Sequence, residues 1–294
     1  MDKVWEIVKL FIYGLVEGIS EWLPVSSTGH LLLLEEHLPL NFSDKFLAFF
    51  RIAIQLAAIL AVIIYFWQEI WPVKSLASLP QTYPANSIKE ENPVLLRLGS
   101  YYLDRATIIL WLKIILACLP AAIVGLLWDE VFEAKFYNPF SVSLALIIVG
   151  ICFILVETLQ ASSTARYMSV ADISWQMALF IGLFQMLAGV FPGVSRSGAC
   201  ILAGLLLGLA RPAAAAFSFY LAIPVMLGAS FLKLLRLDLA PSSYELLGLA
   251  LASAVAFVVS MLTIRFFLEF VRNHSFLPFA IYRIILGLVV LISG

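Results

Sequence analysis

Long apolar runs alternate with short polar breaks along almost the whole chain. Runs of about 20 apolar residues predict membrane-crossing helices. Six runs fit, at 46–67, 108–128, 139–157, 214–235, 244–267 and 278–292. The one long polar connection, 70–105, contains WPVKSLASLPQTYPANSIKEENP and reads as an aqueous loop rich in Pro, Ser and charge. Two further segments, 4–38 and 174–209, are too long for one span. Each carries a proline and a polar cluster at its middle, EGISEWLPVSSTGH at 17–30 and FPGVSRSG at 191–198. Proline removes a backbone donor and disfavours helix in the residue before it. Each segment therefore reads as helix, break, helix. Lipid tolerates broken backbone only where protein or a water-filled cavity satisfies it. The expected form is a re-entrant hairpin.

The two broken segments echo each other. GLVEGISEWLPVSSTG starts at Gly14 and GLFQMLAGVFPGVSRSG at Gly182, 168 positions on. At that spacing Glu17 meets Gln185, Pro24 meets Pro192, Ser27 meets Ser195 and Phe49 meets Phe217. An odd number of spans between the hairpins makes the repeats inverted, an architecture that places its site near the membrane midplane. The expectation is one polytopic domain over 1–294. It is all-α, with six transmembrane helices and two re-entrant hairpins, in pseudo-repeats of about 1–135 and 136–294.

Composition agrees. The chain has 294 residues, 63% hydrophobic and only 13% charged, with a mean hydropathy of +1.02. Soluble domains carry about 25% charged residues. A net charge of −1 gives no basic surface for nucleic acid. Cys118, Cys152 and Cys200 are far apart in apolar runs and read as packing. MDKVWEIVK lacks the basic start of a signal peptide, so the first apolar stretch is expected to stay in the mature protein. Side A should hold the termini, Glu35–Glu36, Asp129–Glu130 and Glu133. Side B should hold Lys74, Lys89, Arg97, Arg105, Arg166, Arg211 and Arg272. Lys3, Lys9, Lys45, Lys135, Lys233 and Arg236 on side A make the bias slight, and it assigns side B to the cytoplasm.

The chemistry concentrates in the breaks. Glu17 and Glu21, four apart, share one helix face with Gly14 and Gly18, which should leave room beside them. Two carboxylates in hydrocarbon call for a partner, a shared proton or a divalent cation. Hard oxygen ligands suit Mg²⁺ or Ca²⁺. Ser26, Ser27 and Thr28 are caps for the next half-helix. A helix start also favours an anion, and a serine there becomes a nucleophile if a base is near. Glu21 and His30 are the candidate bases. In the second break, Arg196 stands between Ser195 and Ser197, flanked by Gly193 and Gly198. Its fork matches phosphate, and the glycines would admit a ligand. The structural alternative pairs Arg196 with Glu17 or Glu21. Together these groups fit phosphoryl transfer on a lipid phosphate.

EGISEWLPVSSTGH followed by PGVSRSGA resembles the two signature motifs of the bacterial undecaprenyl-pyrophosphate phosphatase family, also called BacA or UppP. The likeness extends through FFRIAIQLAAILAV, FSFYLAIPVMLGA and FLPFAIYRIILG. The resemblance implies removal of one phosphate from the C55 lipid diphosphate, which recycles the carrier for cell-wall polymers and opposes bacitracin. It implies a divalent cation and a site facing the outer side of the bacterial plasma membrane. The family's motifs fall on Glu17, Glu21, Ser26, Ser27, Thr28 and His30, then on Pro192, Gly193, Ser195, Arg196, Ser197 and Gly198. Cys200 stands where the second motif usually has threonine. The expected catalytic set is Glu17, Glu21, Ser27, His30 and Arg196. Ser26, Thr28, Gly193, Ser195, Ser197 and Gly198 join Arg196 around phosphate, and Glu17 and Glu21 hold the metal. Ser27, His30 or water could be the nucleophile. The expected partners are a polyprenyl diphosphate and the bilayer, with no nucleic acid; a homodimer stays open. The rival class is a lipid-phosphate flippase or an anion/proton-coupled transporter, since both use inverted repeats with broken helices.

Overall fold

The computed structural model describes residues 2–78, 94–160, 164–235 and 242–293. Lys89 and Arg236, and the side chains of Lys3, Asp129, Glu130 and Glu133, lie outside the described residues. The fold is mostly helical: α1 (Asp2–Ser20), α2 (Ser27–His37), α3 (Asp44–Tyr65), the short α4 (Trp67–Ile70), α5 (Arg105–Phe136), α6 (Pro139–Gln160), α7 (Trp175–Val190), α8 (Arg196–Leu206), α9 (Arg211–Leu235), α10 (Ser243–Asn273) and α11 (Leu277–Ser293). Five of these (α3, α5, α6, α9 and α10) are long and apolar enough to cross a membrane. α11, expected as a sixth span, has 17 residues. The chain is a multi-pass membrane protein.

Local chemistry fixes the helix starts. Ser43, Ser174 and Ser242 each accept from a backbone N–H one turn ahead, opening α3, α7 and α10. At Ser242 the Glu245 carboxylate reaches back to the cap N–H and closes a capping box. The 70–105 connection corrects the all-α expectation. Its described ends form a small antiparallel sheet of β1 (Val73–Ser75), β2 (Val94–Leu98) and β3 (Tyr101–Asp104), in the order β1-β3-β2. β2 and β3 meet at Leu98↔Tyr101 across a tight turn where Gly99 takes φ +60. β3 ends at Asp104, whose carboxylate accepts from the Thr107 N–H and hydroxyl and pairs with Lys74 at 3.2 Å. Burial alone would raise the Asp104 pKa, but these donors outweigh it and hold the carboxyl below its usual value.

The helices fall into two runs of five with matching order, α1-α2-α3-α5-α6 and α7-α8-α9-α10-α11. The first run ends at Gln160 and the second starts at Trp175. The halves exchange partners. α1 packs along α10 and α7 packs along α5. Both contacts use a glycine: a Cβ on Gly14 would stand 2.4 Å from the Ala252 carbonyl, and one on Gly182 would meet the Ala117 carbonyl even closer. Gly18 meets Ala256 in the same way. Gly14 and Gly18 therefore make room for α10 and not for a ligand beside the carboxylates. On the far side, Arg211 makes a two-toothed ion pair with Glu157, whose carboxylate also accepts from the Phe276 N–H, tying together α6, α9 and the start of α11.

Candidate active site

Both breaks turn on a serine in the left-handed region. Ser26 and Ser195 each have φ 70, and among the described residues they are the non-glycines with positive φ. Such a conformation costs about 1–3 kcal/mol and persists only where the surroundings enforce it. Each serine then caps the next half-helix: Ser26 Oγ accepts from the Gly29 N–H at 3.4 Å, and Ser195 Oγ from the Gly198 N–H at 3.2 Å. This corrects the register of the echo. Ser26 is the counterpart of Ser195, and Ser27 is the counterpart of Arg196. Gly193, at φ +98, is the extra residue of the second break.

The breaks meet through Glu21. Ser27 Oγ donates to Glu21 Oε2 at 2.7 Å, and Arg196 Nη2 donates to Glu21 Oε1 at 3.1 Å. Arg196 Nη1 donates to the Ser218 carbonyl at 2.9 Å, and its guanidinium lies over the Trp22 ring. A hydroxyl, a carboxylate and a guanidinium thus form one line. The carboxylate is both the base within reach of Ser27 and the counter-ion of Arg196.

In front of Ser27 lies a cavity of about 580 Å³ lined by Glu17, Ser27, Thr28, Arg51, Gln55 and Lys233, among others. Glu17 is buried and, among the described residues, its carboxylate makes no hydrogen bond or ion pair. Arg51 pairs with Glu35 at 2.6 Å. Arg51, Gln55 and Lys233 are not among the site residues expected from the sequence. Arg51 and Gln55 are polar residues one helical turn apart inside an apolar span, a pattern that points to a cavity.

Several expected residues stand elsewhere. His30 Nδ1–H donates to the Ser26 carbonyl at 2.8 Å, which leaves Nε2 to accept from the Tyr282 hydroxyl at 2.7 Å. It lines a separate apolar cleft with Leu23, Phe279 and Tyr282. Ser197 is buried, its hydroxyl against Ser195 Oγ and the Leu23 and Glu21 carbonyls. A Cβ on Gly193 would strike the Val142 carbonyl, and one on Gly198 would meet Arg283. These glycines let protein, rather than phosphate, approach the backbone. Cys200 is buried with its thiol toward Gln185 Oε1, so it packs.

One organising residue had no assigned role in the sequence. Arg283 is fully buried on α11 and donates to the Pro24, Gly193 and Val194 carbonyls at 2.8–2.9 Å. It satisfies carbonyls that the broken helices leave without partners. An arginine in an apolar run was the available signal.

Residues 10–289 match the model of the family described as bacitracin resistance protein BacA. The chain is 44% identical to an undecaprenyl-diphosphatase of Desulfitobacterium hafniense, over 98% of this chain and 95% of that one. It is 42% identical to an undecaprenyl-diphosphatase of Enterococcus faecalis, over 98% and 96%. It is 41% identical to one from Streptococcus mutans, over 99% and 96%. The chain belongs to the bacitracin resistance protein BacA family.

Proposed function

We propose that this protein removes the terminal phosphate of undecaprenyl diphosphate in the bacterial plasma membrane and so confers bacitracin resistance. The observation that carries the reading is the 2.7 Å hydrogen bond from Ser27 to Glu21 at the wall of the polar cavity. Transport needs charge but has no use for a serine paired with a base.

In the proposed reaction Ser27 Oγ attacks the terminal phosphorus and its proton passes to Glu21. The bond between phosphorus and the bridging oxygen breaks, and undecaprenyl phosphate leaves. A water then attacks the phosphoserine, phosphate departs, and Glu21 returns the proton to Ser27. Arriving phosphate competes with Glu21 for Arg196, which frees the carboxylate to act as base as the negative charge enters. Thr28, Arg51 and Lys233 line the same space and offer donors to the other oxygens.

Glu17 fits a divalent cation. It is an otherwise unengaged carboxylate facing a cavity sized for a diphosphate, with Glu21 nearby. One or two carboxylates completed by substrate phosphates and water is the donor set of Mg²⁺ more than of Ca²⁺, which takes six to eight oxygens. When bound, such an ion neutralises charge on the phosphates.

Six crossings and two re-entrant hairpins in inverted repeats are the arrangement proposed here. The matched run of helices and the exchanged packing of α1 on α10 and α7 on α5 support it. The cavity is lined by the early turns of α3, the late turns of α9 and Tyr137, all on the side opposite the 70–105 segment. That supports an outward-facing site.

The test is phosphate release from C55 diphosphate by purified protein, with and without chelator. Release that chelation stops, and that Glu21→Ala and Arg196→Ala each lower by about 10²–10³-fold, is expected. Tight lipid binding without turnover would overturn the reading.

A further inference from the structure

The two halves of the chain differ where their symmetry predicts sameness. In the element order, α3 and α10 correspond to α9 and α5. α10 packs extensively along α3, whereas α5 and α9 touch only sparingly. Between them lies an apolar groove of about 480 Å³, walled by α5 around Cys118–Gly125 and by α9 around Pro224–Ala229. Ala229 and Lys233 line this groove and the polar cavity alike, so the two spaces adjoin at these residues.

Among the described residues, the glycines of the groove have no partner. A Cβ added to Gly125 or Gly228 meets nothing within 4 Å. By contrast Gly14, Gly18, Gly150, Gly182 and Gly287 all press against a neighbouring helix. A glycine inside a helix costs about 1 kcal/mol relative to alanine. Here no packing contact accounts for that cost. One glycine on each wall keeps the groove open.

We infer that the α5–α9 groove seats the isoprene units that follow the first in the substrate's polyprenyl tail. The occupant's identity rests on the phosphatase reading; the groove and its position beside the cavity do not. A diphosphate lipid needs a polar pocket joined to an apolar channel that opens to the bilayer. Exposed Leu126, Leu127 and Leu232 continue the groove to the surface, where the rest of the chain would meet lipid. Lys233, at the junction, suits the phosphate next to the first isoprene unit.

The experiment fills the groove with Gly228→Leu and Gly125→Leu. Both substitutions place a better helix former in open space, so the variants fold. The KM for C55 diphosphate should rise about tenfold or more, the scale of blocking a single hydrophobic contact or more. Turnover of a C5 isoprenyl diphosphate, which has too little tail to reach along the groove, should stay within about twofold of the wild type on the same scale. Equal losses on both substrates, or no loss on either, would overturn the inference. A second readout needs no turnover. Polyprenyl phosphate with a photoreactive group on its second isoprene unit should label residues 118–131 or 224–233 of the wild-type chain, and unlabelled polyprenyl phosphate should compete. Labelling beside Phe279 and Tyr282 instead, or labelling that excess phospholipid removes as well as polyprenyl phosphate does, would overturn it. If the wild type hydrolyses neither diphosphate, the phosphatase reading fails while the labelling still judges the groove.

Discussion

The two helix breaks share a backbone and divide the work. Each bends at a proline, caps its next half-helix with a serine at φ 70 and continues for eleven residues. In α8 nine of those eleven residues are buried; in α2 the buried residue is Gly29. The first break presents Ser27 and Thr28 to the cavity. The second is mostly buried and reaches the first through Arg196 and Glu21. A duplicated framework can therefore serve two roles once one copy sinks into the core. The strain at Ser26 and Ser195 is held by neighbours, and Arg283 braces both breaks at once.

The sharpest way to break this comparison is Ser27→Ala. If the first break carries the chemistry, phosphate release should fall by about a thousandfold or more, as when a nucleophile is removed. Retention within about tenfold would make water the nucleophile. Trapped phospho-enzyme mapped by mass spectrometry gives the same answer independently. Next come Arg196→Ala and Glu21→Ala. Each should cost about 10²–10³-fold in turnover, the scale of losing a positioned charge. Because they act as one line, the double variant should be little worse than the poorer single one, and a double-mutant cycle measures the difference. Full additivity would separate the two breaks.

Arg283→Leu tests the brace. It strips donors from three buried carbonyls, each worth about 1–3 kcal/mol when orphaned. A clear drop in the thermal unfolding midpoint in detergent is expected, with the second break loosened along with the first. The smallest effect is expected of His30→Gln. Both ring nitrogens face away from Ser27, so activity should stay within about tenfold. General acid–base catalysis contributes about 10²–10⁴-fold, so a loss on that scale would restore His30 as the base.

Much of the fold was legible in the pattern of apolar residues. The runs 108–128, 139–157, 214–235, 244–267 and 278–292 each lie within one helix, and 46–67 does so up to Tyr65, because burial or lipid contact requires continuous apolar helix. Both breaks were legible because proline and polar residues have no neutral meaning inside such runs. The sheet at the ends of 70–105 was not, since its strands are short and flanked by loop-like composition. The echo was found, but its register after the prolines was off by one. Only backbone dihedrals distinguish Ser26 from Ser27 as the cap.

By itself, the sequence determined the class of molecule, the position of its breaks and the residue types that gather there. Hydrophobic length and the cost of polar groups in lipid are local properties, readable along a line. The tertiary structure alone decided which residues meet. It placed Glu21 between Ser27 and Arg196, turned His30 toward Tyr282, and buried Ser197 and Cys200. It put Arg283 across both breaks and left a groove between α5 and α9. Those outcomes depend on contacts between segments as much as 259 positions apart, and a pattern along the chain carries no distance between them.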